Sequence, residues 1–260
     1  RNLARFISCL ISSIGDLKRK TIALLDQVFP EYASSFSNIF GKTSKEILAN
    51  FSSPSDFEDI NSEDLQSFLD NVTMKKFAAR KLEELSKKAS KSFGVNFCMD
   101  SFSLQIKMLI GQISFIQNQV LDVEKEIKSL LEKLNSPITT IPGIGAVNAA
   151  TILGEIGDIK RFSNPSKLVA YAGLDSTVSQ SGKFESTSNH MTKRGSPYLR
   201  RALFQSALRA EFCDPVFSDY YQKKITEGKH HLVATNAVAR KLVHTIFAVL
   251  TKDKPYQVQS

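Results

Sequence analysis

The chain has 260 residues, 42% of them hydrophobic, with only 12 glycines, 8 prolines and no tryptophan. That composition can bury a core of two or three subdomains and favours helix. No apolar run approaches the roughly 20 residues that span a bilayer, and the N-terminus lacks a cleavable signal pattern, which argues against membrane and secreted classes. Cys9, Cys98 and Cys213 lie far apart with no CxxC; they read as reduced, buried thiols in a cytoplasmic protein, with neither a disulfide framework nor a zinc site. The net charge is +8, and its location says more than its size. Between Ile159 and Ala210 nine basic residues face only Asp175 and Glu185, so this segment carries +7 and the rest of the chain +1. A positive field confined to one segment is the footprint of a polyanion partner, although a solvated basic face with no partner has the same composition.

In chain order, Leu3, Ile7, Leu10, Ile14, Leu17, Leu24 and Val28 follow 4-3 spacing and predict a helix over 2–29, stopped by Pro30. Shorter helices are predicted near 44–50, 62–70 and 73–93, with "SSPSDFEDIN" read as a turn and Ser62 as a helix cap. Over 100–134 the apolar positions from Phe102 to Leu134 alternate 4-3 without a break, nearly five heptads. Such a stripe makes either a coiled coil between subunits or a long core helix packed within one chain. Beyond Asn135, Ser136-Pro137 opens a short helix. "IPGIG" makes a tight turn into a helix over 146–156, and further helices are predicted near 166–172, 196–210, 215–227 and 234–251.

Two stretches carry candidate chemistry. "ITTIPGIGAVNAATILGEIGDI" resembles a helix-hairpin-helix. Gly143 and Gly145 permit the turn and leave main-chain N–H groups at the start of the following helix, where an anion is favoured. The same pattern also serves as a purely structural corner. The second stretch, from Asp175 to Arg194, is rich in serine and leads into a helix on which Arg201, Gln205 and Arg209 recur every four residues, a stripe suited to phosphates. No His–Asp spacing surrounds any serine, and His190 reads as an exposed loop histidine.

Together, "IPGIGAVNAATILGEIGDIKRFSNPSKLVAYAGL", "QSGK" and "MTKRGSPYLRRALFQSA" resemble the C-terminal transposase domain of the insertion-sequence-110 family, also named for elements 116 and 902. The later "NAVARKLVHTIFAVLTKDKPY" is similar to that family's closing helix and tail, and "LLDQVFPEYASSF" to the linker after its first domain. The resemblance implies a mainly α fold. Helical linker and coiled-coil elements would occupy 1–135. A transposase domain would occupy 136–260, with the hairpin-like segment at 136–157 and the serine loop at 175–195. It also implies a recombinase with two catalytic parts: an acidic RuvC-like domain whose DEDD residues hold Mg²⁺, and a serine that forms a covalent link to DNA phosphate. A bridge RNA pairs with donor and target DNA in this family. The serine matching the family's SG motif is Ser181, with Ser179 second. Gly143, Gly145, Lys183, Lys193, Arg194, Arg200 and Arg201 would surround the phosphates. The implied acidic domain is not in these 260 residues, and no acid here maps onto its DEDD set. The expectation is therefore a chain that binds DNA, associates through its heptad helices and does not complete recombination alone. A non-catalytic nucleic-acid-binding module and a helical scaffold for protein partners are the competing readings.

Overall fold

The computed structural model describes residues 1–58, 60–175 and 191–258, together with the main chain of 180–181 and 184–185. Eleven α-helices are described: α1 (Asn2–Val28), α2 (Lys42–Asn50), α3 (Pro54–Glu58), α4 (Ser62–Asn71), α5 (Lys75–Ala89), α6 (Met99–Leu134), α7 (Ala146–Ile156), α8 (Pro165–Ala172), α9 (Pro197–Cys213), α10 (Pro215–Thr226) and α11 (His231–Lys252). Short 3₁₀ turns lie at Pro30–Ser35, Pro137–Thr140 and Ile159–Arg161. The fold is mainly α. Extended structure among the described residues is limited to two two-residue strands, Gln180–Ser181 and Phe184–Glu185, paired antiparallel.

The helices begin where local chemistry tells them to. Ser136, Asn164, Ser196 and Asp214 each precede a proline and accept a main-chain N–H from the first turn. The cap satisfies an orphan donor, and the proline occupies a position whose own N–H would be unpaired. Two expectations are corrected. The cap of α4 is Asn61, whose side chain accepts from the Asp64 N–H at 2.7 Å, so Ser62 is already helical. "SSPSDFEDIN" is not only a turn: it contains α3, with Asp56 accepting from the Ser52 and Ser53 N–H groups.

The chain divides into two compact units, residues 9–121 and residues 1–8 with 122–260. In the unit of residues 9–121 a cluster of rings sits within an otherwise aliphatic core. Phe57 of α3 lies 5.5 Å from Phe29, 6.0 Å from Phe51 and 6.5 Å from Tyr32, ring centre to ring centre. Ile106, Ile110 and Ile113 of α6 close the same core.

In the unit of 1–8 and 122–260, α7, α8, α9 and α11 pack around aliphatic and small side chains, among them Ala149, Ala172, Ala202, Ala207, Ala210 and Ala239. Ile127 and Leu131, near the end of α6, belong to this core. Helix α11 is long and apolar enough, by length and composition, to cross a bilayer. Its buried residues Val238, Leu242, Val243, Ile246 and Val249 instead line this core, which makes it a core helix.

The three cysteines correct another expectation: Cys9, Cys98 and Cys213 are free but exposed, not buried.

Candidate nucleic-acid interface and serine loop

The "IPGIG" turn brings α7 against α9. Gly143 has φ of +87°, and a Cβ there would lie 2.5 Å from the Ser206 carbonyl oxygen and 2.6 Å from the Ala210 nitrogen. Two constraints therefore coincide at this position: a left-handed backbone and direct contact with the α9 main chain. Gly143 thus faces α9. Gly145 is different: it is exposed, open around its Cα, and caps α7 without a side-chain hydrogen bond. The first-turn amides of α7 have no side-chain cap, which is the condition under which a helix start receives an anion.

Buried Glu155 ties this unit together. Its carboxylate accepts from the Arg5 guanidinium at 2.6 and 3.0 Å and from the Ser196 hydroxyl at 2.8 Å, and Arg1 stands 3.5 Å away. Its main-chain carbonyl accepts from the Tyr171 hydroxyl. The hydrogen bonds from Arg5 hold the Glu155 carboxyl below the usual carboxylate range, against burial, which acts in the opposite direction. Ser196 is also the cap of α9, so one residue links α1, α7 and the start of the arginine-bearing helix through its carboxylate and α8 through its carbonyl. Reasoning from the sequence missed this residue. The available signal was a lone acid in the otherwise uncharged "AVNAATILGEI".

The serine loop leaves and returns through a zipped neck. Its descending arm, 171–175, and returning arm, 192–196, are joined by main-chain bonds: Thr192 N–H to Asp175 O (3.0 Å), Lys193 N–H to Gly173 O (3.3 Å) and Ser196 N–H to Tyr171 O (3.2 Å). The Thr192 hydroxyl adds a bond to the Asp175 carboxylate. Gly173 adopts the left-handed conformation that ends α8, and a side chain at Gly195 would collide with the Tyr171 carbonyl. Two cations brace the neck: Arg200 donates to the Ala172 carbonyl at 3.2 Å and Arg240 to the Leu174 carbonyl at 2.7 Å.

The expected site residues fall into three groups. Lys193, Arg194 and Arg201 are exposed beside the neck or on α9, in line with exposed Gln205 and Arg209. Arg200, half-buried, is committed to the neck. Ser181 ends the first strand of the small hairpin, opposite Phe184, and only its main chain is described. Ser179, Lys183 and His190 lie outside the described residues. Among the described residues no group of three or more His, Cys, Asp or Glu side chains comes together as a metal-binding cluster.

These features define a helical domain that presents a clamped loop beside an exposed cationic helix. Residues 135–222 match the family model described as "Transposase IS116/IS110/IS902 family". This segment is a transposase domain of that family. The chain is 30% identical over 159 residues to the insertion element IS110 uncharacterized 43.6 kDa protein of Streptomyces coelicolor, covering 60% of the chain and 39% of that relative. It is 32% identical over 122 residues to the pilin gene-inverting protein of Moraxella bovis (46% and 38%). It is 30% identical over 145 residues to the transposase for insertion sequence element IS1328 of Yersinia enterocolitica (53% and 42%). The chain spans about two fifths of the length of these relatives.

Proposed function

We propose that this chain is the C-terminal part of a DNA transposase or recombinase that binds DNA and supplies a serine nucleophile for strand exchange, guided by a bridge RNA. One observation carries the reading: the segment that matches a transposase family also holds the zipped neck beside exposed Lys193, Arg194, Arg201 and Arg209. Cations set along a helix position a phosphate backbone without reading its sequence. On this reading the Ser181 oxygen attacks phosphorus, one phosphorus–oxygen bond to sugar breaks, and the serine proton ends on the released sugar hydroxyl. The phosphodiester count is conserved, so the strands reseal without external energy. Lys183 would accompany the nucleophile, and the α7 start at Gly145 would receive a neighbouring phosphate. A contribution from Mg²⁺ would come from residues outside this chain.

Self-association belongs to the same proposal. The heptad positions Ile106, Ile113 and Ile127 are buried within the chain, so association would use a different face of α6, where Leu104, Met108 and Phe115 share a stripe and remain exposed, Phe115 at 64%. Met108→Glu with Phe115→Glu should convert an oligomer to a monomer in analytical ultracentrifugation.

Trapping tests the chemistry. With an acidic partner domain, Mg²⁺ and guide RNA supplied, wild-type chain should form a covalent protein–DNA adduct that Ser181→Ala removes and Ser179→Ala leaves. Adducts that survive Ser181→Ala would disqualify that nucleophile. Duplex binding without any adduct would leave a non-catalytic DNA-binding module. A scaffold is the outcome if binding fails to weaken between about 50 and 200 mM salt, where six phosphate contacts predict roughly a 10³-fold loss.

A further inference from the structure

A second group of cations lies in the unit of residues 9–121, outside the segment 135–222. Between the start of α2 and α5 is a cleft of about 420 Å³, whose charged lining consists of Lys42, Arg80 and Lys81 with no carboxylate. The neighbouring cleft in the same unit has the opposite character, lined by Glu46 and Asp64 with no cation. The basic cleft also has an apolar wall. Met74 is 56% exposed there, beside Phe36 and Phe77. The Arg80 guanidinium lies 5.5 Å over the Phe77 ring, and the Lys81 ammonium stands 5.4 Å from Phe36. Glu84 partly neutralises Lys81, at 2.7 Å, which leaves Lys42 and Arg80 as the exposed charges. Helix α2 starts at the rim with Gly41 as its cap and no side-chain hydrogen bond to its first-turn amides.

Cations with an adjoining wall of an exposed thioether and half-buried aromatic rings fit a ligand that is anionic at one end and flat and apolar at the other. A duplex offers phosphates but no free base face, because its bases are stacked on one another; a single strand offers both groups. We propose that this cleft binds one unpaired nucleotide of a single-stranded nucleic acid, its phosphate against Lys42 and Arg80 and its base against Met74 and Phe77. The proposal goes beyond the DNA contacts assigned to residues 135–222 and does not depend on Ser181.

The test uses the full chain carrying Arg201→Ala and Arg209→Ala, which reduces binding at the other unit. Labelled dodecamers of uridine and of thymidine are titrated at several salt concentrations and followed by anisotropy. Lys42→Ala with Arg80→Ala should weaken binding at least 10-fold and lower the salt slope by about 0.7, the value for one phosphate on a single strand. Met74→Ala should weaken binding about 10-fold through lost base contact and leave the slope unchanged. A 5-iodouridine strand should crosslink within residues 74–81. Loss confined to the uridine strand identifies RNA as the ligand, loss confined to thymidine identifies DNA, and loss for both identifies either strand. Lys42 and Arg80 are exposed, so their removal leaves the fold intact, as circular dichroism will check. Unchanged affinity and slope for both strands, or crosslinks found only within 135–222, would overturn the proposal without touching the serine reading.

Discussion

The two units differ in emphasis: both contain ring pairs and both press a glycine against backbone, at Gly94 and at Gly143, but the clusters at their centres are built from different side chains. Residues 9–121 pack large rings, with Phe57 among Phe29, Tyr32 and Phe51. The unit containing residues 122–260 uses alanines and a glycine where helices meet, so that α7 rests on the main chain of α9 at Gly143. Rings fill volume and tolerate some variation in the surrounding backbone. Backbone-to-backbone contact tolerates almost none, because protein interiors are close-packed and a single added carbon has nowhere to go. The unit containing Gly143 is also the one that carries the loop neck and the cationic helix. Rigid support there is what the phosphate contacts proposed above would require.

The sharpest way to break this comparison is a pair of opposite substitutions. Gly143→Ala adds one carbon in a left-handed backbone against α9 and should cost about 3–5 kcal/mol from strain and overpacking combined. Phe57→Ala deletes a whole ring and should cost a similar amount, about 3–5 kcal/mol, through the cavity left behind. Chemical denaturation followed by circular dichroism measures both. If Gly143→Ala is neutral, the close-contact account of the α7–α9 pair is wrong.

Next in size is Glu155→Gln. It removes the charge that holds Arg5 while retaining a group that can accept from Ser196, and should destabilise by about 1–3 kcal/mol at pH 7, less than a fully buried pair because Arg5 is partly exposed. The folded pKa of Glu155 is depressed, so its stabilisation is present above the unfolded carboxylate pKa and is lost as pH falls through the folded value. The difference between wild type and Glu155→Gln should therefore shrink below about pH 4.5.

The smallest effect has the opposite sign. Glu211, buried between α9 and α11 with one bond from Thr235, has its pKa raised by burial. Its stability contribution is full below the unfolded pKa and declines as pH rises through the folded value. Glu211→Gln keeps the bond from Thr235 and should stabilise the chain by about 1 kcal/mol at pH 7. Thermal melts at pH 4 and pH 7 will show whether the gain appears only at the higher value.

Much of the helical order was legible before any coordinates. Pro30 ended α1, Gly173 ended α8, and Ser196-Pro197 opened α9, because caps and breakers act within one turn of chain. The heptad stripe of α6 was visible, but not its division: Ile106 and Ile113 serve one core and Ile127 the other, while Leu130 and Leu134 at the end of the same stripe remain exposed. Helix α3 escaped notice because five residues carry too little periodicity to separate from a turn, although they hold the ring at the centre of one core.

The candidate site divides along the same line. The +7 segment and the family motifs were written in the residues themselves, since charge density and motif order need no third dimension. Which cations stay exposed was not. Arg200 and Arg201 are adjacent, yet one braces the Ala172 carbonyl and the other faces solvent, a choice made by α8 packing beside α9. The joining of Arg5 to Glu155 across 150 residues, and the meeting of Gly143 with Ser206, likewise belong to tertiary structure. Local sequence determined where helices start and stop because those signals are satisfied within a turn. Only the fold could decide which faces meet, because a side chain's partner is set by the burial of everything around it.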